Sequence, residues 1–164
     1  AAGAAREDGF IAGLKNAGIT LLEENKRTSA FTLESGYEAA LDLLESKCDI
    51  DVISCATDTI AAGAIEAIQT YLKKQVPTNA ADAGARMRYI LENTSIRVTG
   101  FGDNQMLKAV TGGIPTIHFG YKTSGIRGAE LLLDSIERGE QIPIEMKLGF
   151  RLVGADPSDS ENLT

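Results

Sequence analysis

The chain has 164 residues, 43% of them hydrophobic and 24% charged, with a formal net charge of −7, two cysteines, one histidine and no tryptophan. That length supports one domain with a core of its own, and the composition is ordinary for a soluble globular protein. The acidic balance argues against a nucleic-acid surface on this segment, which needs a concentrated basic stripe, and no apolar run approaches the roughly 18 residues of a membrane helix.

The N-terminus, AAGAAREDGF, has no basic region followed by an apolar one, so no signal peptide is expected. It begins as though already inside a helix, which marks the chain as a fragment. Ala4–Ala17 is predicted helical: Phe10, Leu14 and Ala17 fall at i, i+4 and i+7, with Ile11 beside them and Gly18 as the stop. A short extended piece, Ile19–Leu22, and a charged loop, Glu23–Arg27, lead to Phe31. Thr32 is the candidate N-cap of a helix over Leu33–Glu45, whose apolar face is Tyr37, Ala40, Leu41 and Leu44.

Asp51–Cys55 reads as a short buried strand running into Ala56-Thr57-Asp58 and a helix over Thr59–Lys73. That helix carries two apolar rows, Ala61, Ile65, Ile68 and Leu72 in one and Ile60, Ala64, Ala67 and Tyr71 in the other. Packing on one sheet face needs only one such row. The second row fits either a well-buried helix or contact with another subunit. A loop with Pro77 precedes a less regular helix, Ala80–Asn93.

The stretch Ile96–Tyr121 organises the rest. A strand, Ile96–Phe101, ends in glycines and an acid that the pattern predicts to be exposed, Asp103. A short helix follows, Asp103–Val110, and then a second strand, Ile114–Phe119, delivers Tyr121 to its far end. An open α/β sheet builds a ligand crevice at such carboxyl-end turns. Thr123–Arg138 is a helix with Ile126, Ala129, Leu133 and Ile136 on its face, ended by Gly139. Ile144–Val153 is predicted as a strand, and 154–164 as a loose polar tail. Strands alternating with helices of this length indicate an α/β fold on a parallel sheet.

No P-loop, nucleophile elbow or paired metal ligands appear, and Gly100-Phe101-Gly102 lacks the third glycine of a dinucleotide fingerprint. Neither catalytic residues, a metal nor a cofactor is therefore expected. Cys48 and Cys55 lie at the two ends of one strand and make no disulfide framework, which points to a reduced, cytoplasmic protein. His118 reads as a satisfied strand residue. What remains is a set of strand-end residues: Arg6, Phe31, Thr57, Asp58, Asp103 and Tyr121. Singly each has a structural explanation, Asp58 as a helix N-cap or first-turn acid among them. Together they suit a polyhydroxylated ligand, because carboxylate, Arg and Thr bond hydroxyls directionally and aromatic faces cover C–H patches.

CATDTIAAGAIEAI and RVTGFGDNQMLKAVTGGIPTIHFGYKTSGIRGAELLL resemble consecutive strand–helix units of the lactose/galactose repressor family of bacterial transcription regulators, and AAREDGFIAGLKNAGI and SGYEAALDLL resemble its preceding helices. The resemblance runs from Ala1 to Val153. IHFGYKTSGIRGAELLL further resembles sucrose-operon repressors of Gram-positive bacteria. The family pairs a DNA-binding headpiece with a two-lobed sugar-binding core of the periplasmic-binding-protein type, an open parallel-sheet sandwich. The resemblance implies an effector-binding domain over 1–153, mostly the second (C-terminal) lobe, with the 123–138 helix crossing back to the first lobe and the headpiece absent. It places Arg6, Phe31, Thr57 and Tyr121 at effector-contacting positions, with Asp58 at the family's usual Asn or Asp. Gly102 stands where members often have Asp, and Asp103 would replace that contact through a shifted loop. The Pro77–Thr94 connection is longer than usual.

The implied partners are a small sugar or sugar phosphate, operator DNA reached through a headpiece not present here, and a second copy of the chain, with no membrane. The dimer contact would use Ile60, Ala64, Ala67 and Tyr71 with Gln105 and Met106. A transport-type sugar-binding protein is the alternative on the same fold; an enzyme on an α/β scaffold is the remote third.

Overall fold

The computed structural model describes residues 2–46, 49–73, 83–139 and 143–154. In chain order these form α1 (Ala2–Asn16), a 3-10 turn (Glu23–Asn25), α2 (Leu33–Glu45), β1 (Val52–Ser54), α3 (Asp58–Tyr71), α4 (Ala83–Glu92), β2 (Arg97–Thr99), α5 (Gln105–Thr111), β3 (Thr116–Phe119), α6 (Tyr121–Arg138) and β4 (Phe150–Val153).

Local chemistry sets most of these boundaries. The Thr32 hydroxyl accepts from the Ser35 N–H at 3.1 Å, capping α2, and the Ser35 hydroxyl accepts from the Ala30 N–H at 2.8 Å, tying the incoming chain to the first turn. Thr57 caps α3 through the Ile60 N–H at 3.2 Å. The N-cap is therefore Thr57, and Asp58 is the first helical residue. Asn104 caps α5 by accepting from both Met106 and Leu107. Gly112 ends α5 and Gly139 ends α6, each in the left-handed conformation that glycine adopts without penalty.

β1 and β2 pair in parallel, Ile53 opposite Val98. Beyond β2, Gly100 N–H donates to Pro115 O at 2.8 Å and Gly102 N–H to Ile117 O at 3.0 Å. Both partners advance by two in the same sense, so the end of β2 runs parallel to β3. β4 then pairs with β3 antiparallel, His118 opposite Arg151. The predicted parallel sheet stands and carries an antiparallel edge strand. One expectation is corrected: the strand expected over Ile144–Val153 begins only at Phe150, because only that part finds a partner. Ile19–Leu22, expected as a short extended piece, pairs with no strand among the described residues, and Leu22 is extended. The tail expected over 154–164 lies outside the described residues beyond Gly154.

The core is Ile53 and Val98 of the sheet, Leu44 of α2, Ile60, Ile65 and Ile68 of α3, and Ile90 of α4. α2 crosses α3 at backbone contact: a Cβ on Gly63 would stand 2.2 Å from Leu33 O and 2.6 Å from Tyr37 N, and one on Gly36 would stand 2.8 Å from Ile60 Cα and O. This corrects the second-row expectation. Ile60, Ala64 and Ala67 are buried in the chain's own core. α2 lies on α3, so the second row has its partner within the domain. Tyr71, Gln105 and Met106 stay exposed.

Candidate functional site

The carboxyl ends of β1, β2 and β3 meet in a buried polar knot. Asp58 is 4% exposed. One carboxylate oxygen accepts the Asn104 N–H and the other the Thr116 hydroxyl, the latter at 2.7 Å. Thr116 Oγ in turn accepts the Asp103 N–H at 3.3 Å, and Asp103 Oδ2 lies 2.7 Å from His118 Nδ1. Asp58 N–H closes the set on Phe101 O at 3.2 Å. Three segments distant in sequence are tied together, in part by bonds to the carboxylates of Asp58 and Asp103, which are stronger than neutral ones. Glycine makes the knot possible: a Cβ on Gly100 would fall 2.1 Å from Asp58 Oδ1. Asp103 has φ +52 and Gly102 φ +134, so this turn holds a conformation that most side chains avoid.

A second layer lies over the knot. Arg6 reaches from α1, donates through Nη1 to Ala56 O at 2.7 Å, and sets its guanidinium 4.0 Å from the centre of the Phe101 ring. That stacking favours the cation through the ring quadrupole. Phe101 meets Phe119 at 4.9 Å between centroids, and Tyr121 stands edge-on to both Phe119 and His118 at 6.0 Å. Tyr121 Oη donates to Gly102 O at 3.3 Å. The bare Cα of Gly102 faces Asp58 and Tyr121 together: a Cβ there would lie 3.6 Å from Asp58 Oδ2 and 3.8 Å from Tyr121 Oη.

Arg6, Asp58, Asp103 and Tyr121 thus converge on the turn at Phe101–Asp103, and Thr57 sits beside Asp58 as the cap of α3. Phe31 sits apart from that turn, with its ring tip 3.7 Å from the Cβ position of Gly3. Gly3 and Arg6 are i, i+3 on α1, so Phe31 stands on the Arg6 side of that helix. Three expectations change. Asp103, predicted as an exposed acid that would take over a ligand contact, is 9% exposed and turned onto His118. Asp58 likewise points into the knot, and the Thr57 hydroxyl accepts the Ile60 N–H as a helix cap.

His118, read from the sequence as a satisfied strand residue, is one, in β3 and paired with Asp103; sequence reasoning passed over Thr116 and Asn104, on which the knot also depends, and Phe101 and Phe119, which form its aromatic cover. The signal for Thr116 was alternation. Thr116 and His118 are two apart on a strand and face the same side.

Cys55, just under the knot, is buried, and that burial, with the Asp58 charge second, pushes its thiol up to about 12. It stays protonated and unreactive. A cavity of about 180 Å³ runs between Asp103, Leu107, Ile114, Thr116 and Val153. A wider hollow of about 470 Å³, lined by Tyr37, Glu66, Thr70, Lys73 and Arg86, lies toward the other end of α3, with Glu66 and Thr70 about 12 and 18 Å along the helix from Asp58 at 1.5 Å per residue. Among the described residues no three His, Cys, Asp or Glu side chains group as metal ligands. The second layer offers hydrogen-bond donors, a cation and aromatic edges, which are the means of binding a polar ligand.

Comparison with known proteins places this geometry. The family profile described as periplasmic binding proteins and sugar binding domain of LacI family matches residues 1–148. The transcriptional repressor PurR of Erwinia tasmaniensis is 30% identical over 146 residues, 88% of this chain and 38% of that protein. Its namesake from Yersinia enterocolitica is 28% identical over 151 residues, 92% and 39%. The chain therefore spans about two fifths of the length of the curated relatives it matches. Among solved structures, a complex of the transcriptional regulator CelR with cellobiose superposes with a TM-score of 0.71 at 22% identity, over 90% of this chain and 40% of that one.

Proposed function

The chain belongs to the family of periplasmic binding proteins and LacI-family sugar-binding domains, and from that premise we propose that it is the effector-binding part of a bacterial transcriptional repressor that controls a sugar-utilisation operon. The observation that carries the proposal is the layered crevice edge, in which a rigid knot of Asp58, Thr116, Asp103 and His118 supports Arg6, Phe101 and Tyr121. Such an edge binds and orients; a regulator needs nothing more. The full-length PurR relatives, both repressors, favour this over a transport protein and over an enzyme.

In this reading the ligand is a small sugar or sugar phosphate. The CelR structure is a complex with a sugar of that kind, cellobiose. The ligand enters between this lobe and a first lobe, and it shifts the closed–open equilibrium by the difference in its affinity for the two states. The exposed apolar side of α6 docks against that first lobe, making 1–153 the effector-binding region and 123–138 its crossover. The intact protein is a cytoplasmic homodimer that presents paired headpieces to a palindromic operator. Tyr71, Gln105 and Met106, left open by the core, are the surface for pairing. No helix among the described residues is long and apolar enough to cross a membrane.

The test is calorimetric titration of the intact protein with a panel of sugars and sugar phosphates, paired with release of operator DNA in a mobility-shift assay. A panel member that both binds and changes operator occupancy is the expected result. Binding without any effect on DNA would contradict the regulator reading.

A further inference from the structure

The sequence marks the Pro77–Thr94 connection as longer than the family's, and nothing in the crevice uses it. Its described part holds α4, which is anchored in the core through Ile90 and packs against α3 and α5. Through Arg86, α4 also closes one side of the hollow of about 470 Å³ toward the end of α3 away from the crevice. The floor of that hollow is α3 itself. Glu66, Gln69 and Thr70 fall at i, i+3 and i+4, a polar stripe beside the fully buried Ile65, Ala67 and Ile68, and Lys73 follows past the C-cap Leu72. Tyr37 forms the α2 wall.

The lining is held in place. Tyr37 Oη donates to Thr70 Oγ1 at 3.3 Å, and Thr70 Oγ1 donates to Glu66 O at 3.3 Å. Arg86 Nη2 stands 3.5 Å from Gln69 Oε1. Gly36 and Gly63 keep α2 and α3 at backbone contact, so the Tyr37 wall is fixed against the α3 floor. The charges are sorted along the hollow. Glu66 is negative. Arg86, level with Gln69, stands three residues along the axis from it, about 4.5 Å, and Lys73 adds a second positive charge beyond. An anion in this hollow meets Glu66, and a cation meets Arg86 and Lys73, so a ligand of single sign is opposed at one end. A dipolar ligand is matched at both. The volume falls within the roughly 300–1,000 Å³ of small-molecule sites.

We propose that this hollow is a second ligand site, separate from the sugar crevice, for a small zwitterion of the α-amino acid class. The ligand's ammonium group lies on Glu66 and its carboxylate on Arg86, with Lys73 behind, while the Tyr37 hydroxyl and the Gln69 amide meet its side chain. The lengthened connection creates the site by supplying Arg86. The proposal goes beyond the sugar-binding reading and does not depend on it, since the two sites lie toward opposite ends of α3.

The experiment is calorimetric titration of the intact protein, at low and high sodium chloride, with L-alanine, L-serine and L-glutamine. Each is also supplied as its C-terminal amide and as its N-acetyl derivative. The expected result is that at least one free amino acid binds. Both of its blocked forms bind about tenfold or more weaker, since each has lost a charge-assisted contact, and added salt weakens the binding. Two variants assign the ends. Arg86→Gln removes the preference over the amide and keeps the preference over the N-acetyl form; Glu66→Gln does the reverse. Both positions are exposed, so both variants keep the wild-type circular dichroism and denaturation midpoint. Failure of every free amino acid to bind would overturn the proposal. So would blocked forms that bind as well as their parent, or a preference that survives removal of the charge assigned to it.

Discussion

α3 and α6 are both amphipathic helices, and the sequence marks an apolar face on each. Their fates differ. α3 buries Ile60, Ile65, Ile68 and four alanines, whereas α6 has no buried residue, with Leu132, Leu133 and Ile136 at 62%, 60% and 67% exposure. Periodicity reveals that a face needs a partner but not where the partner is. For α3 the partner is α2, brought to backbone distance by Gly36 and Gly63. For α6 it is not among the described residues, and the proposed first lobe would supply it.

Breaking the α2–α3 side of that comparison should have the largest effect. Gly63→Ala drives a methyl into Leu33 O and Tyr37 N, backbone atoms that cannot move aside cheaply. Overpacking of this kind costs about 1–3 kcal/mol, and the backbone neighbours put it at the upper end or beyond. A lowered midpoint in urea denaturation followed by circular dichroism checks it; an unchanged midpoint would mean that the helices do not cross at these glycines.

Next in size is the knot. Asp58→Ala orphans the Asn104 N–H and the Thr116 hydroxyl, at about 1–3 kcal/mol for each buried donor left unpaired. Gly100→Ala should mimic it in part by expelling the Asp58 carboxylate. Denaturation midpoints of both variants provide the check, and wild-type stability in Asp58→Ala would show that the knot contributes little.

These two regions also mark how far the sequence could be read. Leu33–Glu45 was legible to the residue because its cap and its period lie within one segment. Asp58 and Tyr121 were legible as neighbours at the sheet's carboxyl edge because each opens a helix that follows a strand. The burial of Asp58 was not, since its partner Thr116 lies 58 positions away. The inward turn of Asp103 hangs on His118 and on a positive φ, neither of which composition encodes. The second row of α3 was ambiguous for the same reason as α6: a helix face does not name what covers it. β4 was drawn too long because alternation over 144–149 has no strand opposite it.

The third effect is one of pH. Cys55 is raised from its ordinary 9.0 to about 12, chiefly by burial. Folding thus favours the neutral thiol, so its contribution is full below about pH 9 and is lost as the pH climbs toward about 12. The denaturation midpoint should fall across that window, by less in Cys55→Ala. Equal slopes in the two proteins would remove Cys55 from the account. At pH 8, alkylation of Cys55 should proceed only as fast as the protein opens.

The smallest effect sharpens the comparison from the other side. Leu133→Ala should change the stability of this chain alone by less than about 0.5 kcal/mol, as exposed substitutions do. In the intact protein the same substitution should cost several times more. Equal small effects in both settings would mean that α6 stays uncovered.

The central claim is that the ligand rests on the layer formed by Arg6, Phe101 and Tyr121 above the Asp58 knot. A crystal structure of the intact protein with a sugar or sugar phosphate that alters operator binding tests it most directly. The account predicts the ligand against the Arg6 guanidinium and the Phe101 ring, over the bare Cα of Gly102. A ligand seated instead in the hollow between Tyr37, Glu66 and Arg86, with Arg6 untouched, would contradict it.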